Sequence, residues 1–251
     1  MGWIFVVFVL LIILVMGPGV YFIYRIIKKS VTPKTDDYIQ NEKKEMEARV
    51  QAQIAELEPM NGLDYNAVTS AMQYTYKKTT SVYIKGKVFS PERKPIIAFD
   101  RVERGLTGAG YLIAASSSFS LWIDFDDRYM KYTLNGELLG EVLPSGDLVN
   151  ANGEKIGSAY HPTKVSFYVA NFTFRSGDNF FPLALNGRTL ANIYVAPNYG
   201  AENPASMEVI FNQNQWGLPI LHLLEKPTEE EERWLMALAV TEIALHGHWG
   251  L

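Results

Sequence analysis

The chain has 251 residues, 48 % of them apolar and 13 % aromatic, and carries a net charge of −4. That length allows one domain of about 150–200 residues and something besides, while the acidic balance excludes a nucleic-acid binder held mainly by phosphate contacts. There is no cysteine, which excludes disulfides, thiolate metal sites, cysteine nucleophiles and palmitoylation.

Residues 3–24 form 22 consecutive uncharged positions, mostly apolar, interrupted only by Gly17-Pro18-Gly19. The run is long enough to span a bilayer, with a kink expected at Pro18 and with Trp3, Tyr21 and Tyr24 at positions suited to interfacial aromatics. A cleaved signal peptide fits less well, because no basic segment precedes the run and no small-x-small site ends it. Residues 1–30 are therefore expected to be a transmembrane anchor. Arg25, Lys28, Lys29 and Lys34 follow the run and no Lys or Arg precedes it, so the positive-inside rule predicts a single-pass membrane protein with everything after the span in the cytoplasm.

Residues 31–63 read as a juxtamembrane linker and helix. Ile39, Met46, Val50, Ile54 and Leu57 recur at helical spacings in a stretch otherwise rich in Glu, Lys and Gln, giving an amphipathic helix with a narrow apolar seam. Such a seam suits a partner helix, the surface of the following domain, or a solvated spacer. Pro59 and Gly62 end it.

From residue 64 the pattern changes to short runs of Val, Ile, Tyr, Phe and Thr between turn residues. Strands are predicted near 74–89, 96–101, 111–115, 119–125, 129–134, 138–143, 155–160, 165–174, 180–185, 189–195, 207–211 and 217–224, an antiparallel system of about a dozen. Three segments share the pattern Asn-Gly-x-x-aliphatic-small: Asn135 to Gly140, Asn152 to Gly157 and Asn186 to Ala191. Asn-Gly is favoured in a two-residue hairpin turn, where both residues take positive φ. The small residue that closes each pattern suggests either close packing against something inside or a bulge.

The last element is a helix. Thr228 with Glu231 makes a capping-box pattern, and four glutamates, Glu229 to Glu232, suit the positive end of a helix dipole. Trp234, Leu235, Met236, Ala237, Leu238, Ala239 and Val240 follow without a polar side, then Ile243, Ala244 and Leu245. A helix apolar all round must be enclosed. At ~18 Å for about 12 residues it is short of the ~30 Å hydrocarbon core, so the strands are its expected wall. A helix covering one face of an open sheet is the simpler alternative.

In its repeated Asn-Gly hairpins followed by this terminal helix, the chain resembles the tubby C-terminal-like group, which includes phospholipid scramblases and the LURP-one-related proteins. The resemblance covers roughly residues 74–246. It implies a closed antiparallel barrel of about twelve strands around a central helix, here carried by Trp234, Leu235, Leu238 and Ile243, with the barrel domain over residues 64–251. The fold expected is thus mainly β, with a transmembrane helix and a juxtamembrane helix ahead of the barrel. Two departures bear on function. Scramblases carry a palmitoylated cysteine cluster, absent here, and tubby proteins bind phosphoinositides through a basic surface, whereas residues 64–251 hold 16 Lys/Arg against 20 Asp/Glu.

No catalytic constellation, cofactor site or metal site is assembled by motif. Asp124, Asp126 and Asp127 lack an EF-hand's Gly and Glu positions; His246 and His248 fit a helix end; Gly105, Gly108 and Gly110 are not followed by the Lys-Ser/Thr of a phosphate loop; and Ser116, Ser117 and Ser118 have no nucleophile-elbow setting. Lys77, Lys78, Lys85 and Lys87 alternate with tyrosines on the first predicted strand; they read either as solvating edge residues or as contacts to lipid headgroups. The expected function is a non-enzymatic membrane-tethered binding or scaffold protein, an accessory subunit whose partners are other membrane-protein subunits. The alternatives are phospholipid handling and a membrane-anchored hydrolase assembled in space.

Overall fold

The computed structural model describes residues 19, 21–22, 24–25, 35–78, 81–104, 109–126, 128–159, 180–194 and 219–246. Nearly all of the predicted span lies outside them, and no helix among the described residues is long and apolar enough to cross a membrane.

Helix α1 runs over Asp36–Ile54, its first turn capped by the Thr35 hydroxyl. Twelve strands follow: β1 Met72–Lys78, β2 Ser81–Phe89, β3 Pro95–Arg104, β4 Ala109–Ala115, β5 Ser120–Phe125, β6 Met130–Leu134, β7 Glu137–Val142, β8 Asp147–Asn150, β9 Lys155–Ala159, β10 Phe180–Leu185, β11 Arg188–Tyr194 and β12 Leu221–Leu223. Helix α2, Glu229–Val240, closes the order and continues as a π-helical turn, Thr241–His246. The strands form one antiparallel sheet in chain order, each pairing with its sequence neighbours. Among the described residues, no ladder joins β1 to β12. The two ends meet at a single bridge, Thr69 to Pro219, beside which Ile220 N donates to Val68 O at 3.1 Å.

The total of about twelve was expected, but its members differ. The stretch 74–89 is two strands, paired from Met72↔Val88 to Lys78↔Val82. No Gly, Pro or Asn stands there to mark the break between the two strands. Strand β8 is four residues long, too short to give a periodic signal. The predicted strands 165–174 and 207–211 lie outside the described residues; β9 pairs with β10 and β11 with β12.

The Asn-Gly repeats resolve into one device. At Asn135-Gly136 and Asn186-Gly187 both residues take positive φ, as a two-residue hairpin requires. At Asn152-Gly153 only the glycine does, and Gly153 N donates to Asn150 O, so this is a wider turn. In all three hairpins the aliphatic residue is skipped by the pairing: Leu139 between Leu138 and Gly140, Ile156 between Lys155 and Gly157, and Leu190 between Thr189 and Ala191. The repeat is therefore a β-bulge placed identically three times, which increases local twist and curls the sheet. The extra residue reaches the core, Leu139 and Leu190 being buried and Ile156 packed against it. Both readings of the small residue hold at Gly140, where an added Cβ would lie 2.0 Å from the Val149 carbonyl oxygen and 2.9 Å from the Trp234 ring at φ +148°.

Two cores result. The curled inner face gathers Ile97, Phe99, Leu112, Leu121, Ile123 and Tyr132 around Trp234, Leu235, Leu238 and Ile243 of the terminal helix. The second lies on the outer face of β3 to β5, where Ala98, Val102, Tyr111, Ile113 and Trp122 meet Met46, Val50, Leu57, Ile39 and Ile54. The seam of α1 is thus filled by the chain's own sheet, and not by a partner helix. This double covering explains why β3 and β4 read as near-continuous apolar runs.

Gly140→Ala is expected to cost about 3 kcal/mol, since a backbone carbonyl cannot retreat as a flexible side chain can. Gly136→Ala, with open space around it, meets only the left-handed backbone cost of about 1–2 kcal/mol. Urea unfolding midpoints of the two variants measure the difference.

Candidate functional site

The outer face of β1 and β2 beside α1 forms a trough. Its floor carries Thr75, Lys77, Tyr83 and Lys85; its wall carries Glu42, Glu45 and Arg49; its volume is about 580 Å³. A shallower continuation of about 340 Å³ runs past Gln53, Gln73, Gly86 and Lys87. The register makes this possible: Lys77 stands opposite Tyr83 and Thr75 opposite Lys85, so odd-numbered residues of both strands share the outer face. Tyr74 and Ile84 go to the core. The wall residues lie three, four and seven positions apart on α1, one helical face.

Charged groups rivet the helix to the sheet along this seam. The Arg49 guanidinium reaches Asp100 on β3 at 2.8 Å, and the aspartate side chain is only 1 % exposed. Its second oxygen, Oδ1, has no hydrogen-bond partner. Burial pushes the Asp100 carboxyl above its ordinary range; the hydrogen bond and charge of Arg49, with the charge of Lys85, pull it back without cancelling the shift. Further along, Arg104 and the Tyr111 hydroxyl both converge on Glu42, and burial together with that carboxylate pushes the phenol well up. Lys43 pairs with Asp124 and lies over the rings of Tyr111 and Trp122 at 5.2 and 5.3 Å. At the other end, Lys87 pairs with Glu56 at 2.6 Å and Lys94 with Glu58 at 2.7 Å.

The four lysines singled out by sequence consequently part company. Lys87 is committed to Glu56. Lys77 and Lys85 stand on the trough floor, and among the described residues neither makes an ion pair. The side chain of Lys78 lies outside the description. Lys77 and Lys85 thus stand on the floor of a trough whose wall carries the carboxylates Glu42 and Glu45. The sequence reading passed over Glu42, Arg49, Asp100 and Arg104. One signal was present: the Asp100-Arg101 pair directly after the apolar run Ile96-Ile97-Ala98-Phe99 and before Val102, where a buried charge demands a partner.

The remaining candidates are structural. Asp126 accepts from the Arg128 and Tyr129 backbone N–H groups and from the Arg128 guanidinium, an ordinary turn; Asp127 lies outside the described residues. Ser116 accepts from Ser118 N and Phe119 N, Ser117 accepts from Met60 N, and Ser118 donates to the Gly62 carbonyl. These serines tie the segment after α1 to the β4–β5 turn. His248, Gly105 and Gly108, and the side chain of His246, lie outside the described residues. No group of three or more potential metal ligands occurs among those described. Comparison with family models, curated proteins and solved structures finds no match to this chain.

Arg49→Met is expected to cost about 3 kcal/mol at pH 7, because it strands the buried Asp100 carboxylate. The sign with pH follows from the raised folded-state value. A protonated Asp100 favours the fold below the unfolded value of about 3.9, and this contribution is lost as pH rises through the folded value. The deficit of Arg49→Met relative to wild type should therefore shrink on acidification, and Arg49→Met/Asp100→Asn should recover most of it at neutral pH. Urea midpoints between pH 4 and 8 test this.

Proposed function

We propose that this chain is a non-enzymatic, membrane-tethered binding protein, an accessory subunit built on a tubby-like barrel. The observation that carries the reading is the docking of α1. Met46 and Val50 are wholly buried against β3 and β4, and Arg49, Lys43 and Glu42 are locked to the sheet. A helix fixed in this way passes the orientation of whatever precedes it directly to the domain. Tyr21, Phe22 and Tyr24, helical and more than half exposed, fit a segment whose cover is lipid. The basic residues after it orient the domain to the cytoplasm.

Barrel closure is part of the proposal. Ile220 accepts from Tyr194 N of β11 on one side and donates to Val68 O, ahead of β1, on the other. This contact, with the isolated Thr69–Pro219 bridge, brings the two ends of the sheet order together and supports closure, although no ladder joins β1 to β12 among the described residues. The three bulged hairpins and the enclosed helix support the likeness to the tubby group. Lipid handling stands second, favoured by the two uncommitted lysines of the trough.

The test is purification of the full chain from its membrane in mild detergent. A defined partner at fixed stoichiometry is expected, and protease added to intact cells is expected to leave the β domain uncut. A chain that purifies alone with bound phospholipid would reverse the order of the two readings, and cleavage from outside would reverse the orientation.

A further inference from the structure

Along the seam between α1 and the sheet, cations and carboxylates have been matched one by one. Arg49 is taken by Asp100, Lys43 by Asp124, Arg104 by Glu42, Lys87 by Glu56 and Lys94 by Glu58. Among the described residues two ammonium groups there make no ion pair, Lys77 and Lys85, the latter opposite the Arg49-bound Asp100, and both face the same trough. They are diagonal neighbours across the β1–β2 pair, so their β-carbons are ~7 Å apart and their flexible arms can converge on one anionic group. On the opposite wall one carboxylate is nearly as uncommitted. Glu45 is 72 % exposed and, among the described residues, pairs only at long range, 3.7 Å from Arg49.

We infer that the trough is a binding site for a small zwitterion, a monoanionic phosphate diester that also carries an ammonium group. Lys77 and Lys85 take the phosphate oxygens, and Glu45 takes the ammonium. The volume, about 580 Å³, is within the ~300–1,000 Å³ usual for small-molecule sites. Tyr83 supplies an aromatic flank beside the two lysines. The charge balance sets the selectivity. A polyanion would gain two cations but be driven against Glu45 and the occupied Glu42, whereas a zwitterion satisfies both walls at once. This separates the site from a basic phosphoinositide surface. The inference deepens the lipid reading above and is independent of any protein partner.

Glycerophosphoethanolamine, a water-soluble probe with both charges, is titrated by calorimetry into the full chain held in lipid discs of phosphatidylglycerol. Saturable binding is expected, tighter than that of glycerol 3-phosphate and of inositol hexakisphosphate. Lys77→Gln/Lys85→Gln should weaken it about tenfold or more, as loss of charge-assisted hydrogen bonds does. Glu45→Gln should abolish the preference for the amine-bearing probe while leaving glycerol 3-phosphate binding intact or stronger. Lys77 and Glu45 are exposed, so Lys77→Gln alone and Glu45→Gln should keep the wild-type urea midpoint and their lost binding cannot be lost folding; Lys85, half-buried opposite Asp100, is read against the midpoint of its own variant. Repeating the titration in discs rich in phosphatidylethanolamine identifies the source. Weaker apparent binding there means that membrane headgroups compete for the trough; unchanged binding means a free aminoalkyl phosphate diester. Absence of saturable binding, tighter binding of the hexakisphosphate, or a Glu45→Gln variant that keeps the preference overturns the inference.

Discussion

The constraint on which this architecture depends is a helix with no polar side. From Trp234 to Val240 every residue of α2 is apolar and buried, and all of them belong to the core on the inner face of the sheet. Such a helix can be solvated nowhere, so its burial falls to the inner face of the sheet, which three bulged hairpins curve toward it. The polar ends of the helix then become the difficulty. Glu231, 2 % exposed, accepts from Thr228 N, Asn186 Nδ2 and the Arg188 guanidinium. Burial pushes its carboxyl up, yet those hydrogen bonds overcome burial and hold it below the ordinary range. Arg233 reaches Glu137 at 2.8 Å. The helix is thus pinned by its first turns to two of the Asn-Gly hairpins, and the same hairpins shape the wall that encloses it.

At the far end of α2 the enclosure is less purely apolar. Thr241 Oγ1 donates to the Ala237 carbonyl at 2.6 Å and lies 3.2 Å from the Tyr132 hydroxyl, while Tyr132 packs its ring on Trp234 at 5.7 Å. Burial pushes the Tyr132 phenol up, so it stays a neutral donor at any physiological pH. A hydroxyl that bonds back to the preceding turn loosens the helical ladder, and α2 widens to a π-helical turn at Thr241. That turn lies against β2 and β3, the strands whose outer faces form the trough and its border. Core and trough therefore share two strands, one on each face.

The outer face shows how a second layer turns a surface into a site. Without α1, Lys85, Lys87 and Asp100 would be scattered charges on an exposed sheet, each worth little. The helix and the turn that follows it bring Glu42, Arg49 and Glu56 against them, neutralise most of the cations and leave an asymmetric remainder. Charge matching between elements distant in sequence, 51 positions from Arg49 to Asp100 and 31 from Glu56 to Lys87, thereby sets both the rigidity of the tether and the character of the trough.

The sequence by itself determined the elements whose signal is local. The α1 seam follows from Ile39, Met46, Val50 and Ile54, the α2 cap from Thr228 and Glu231, and two of the hairpin turns from Asn135-Gly136 and Asn186-Gly187. Propensity, capping and turn chemistry act over four or five residues, which is the range in which a pattern can be seen. What α1 packs against, whether Gly140 marks a bulge or a close approach, and which lysines remain uncommitted were decided only by the tertiary structure. Those outcomes depend on which side chains meet across the sheet, and register transmits that information between residues far apart in the chain. Lys85 and Lys87 look alike in sequence; they differ because the turn after α1 puts Glu56 beside Lys87, whereas Lys85 stands opposite Asp100 and faces the trough.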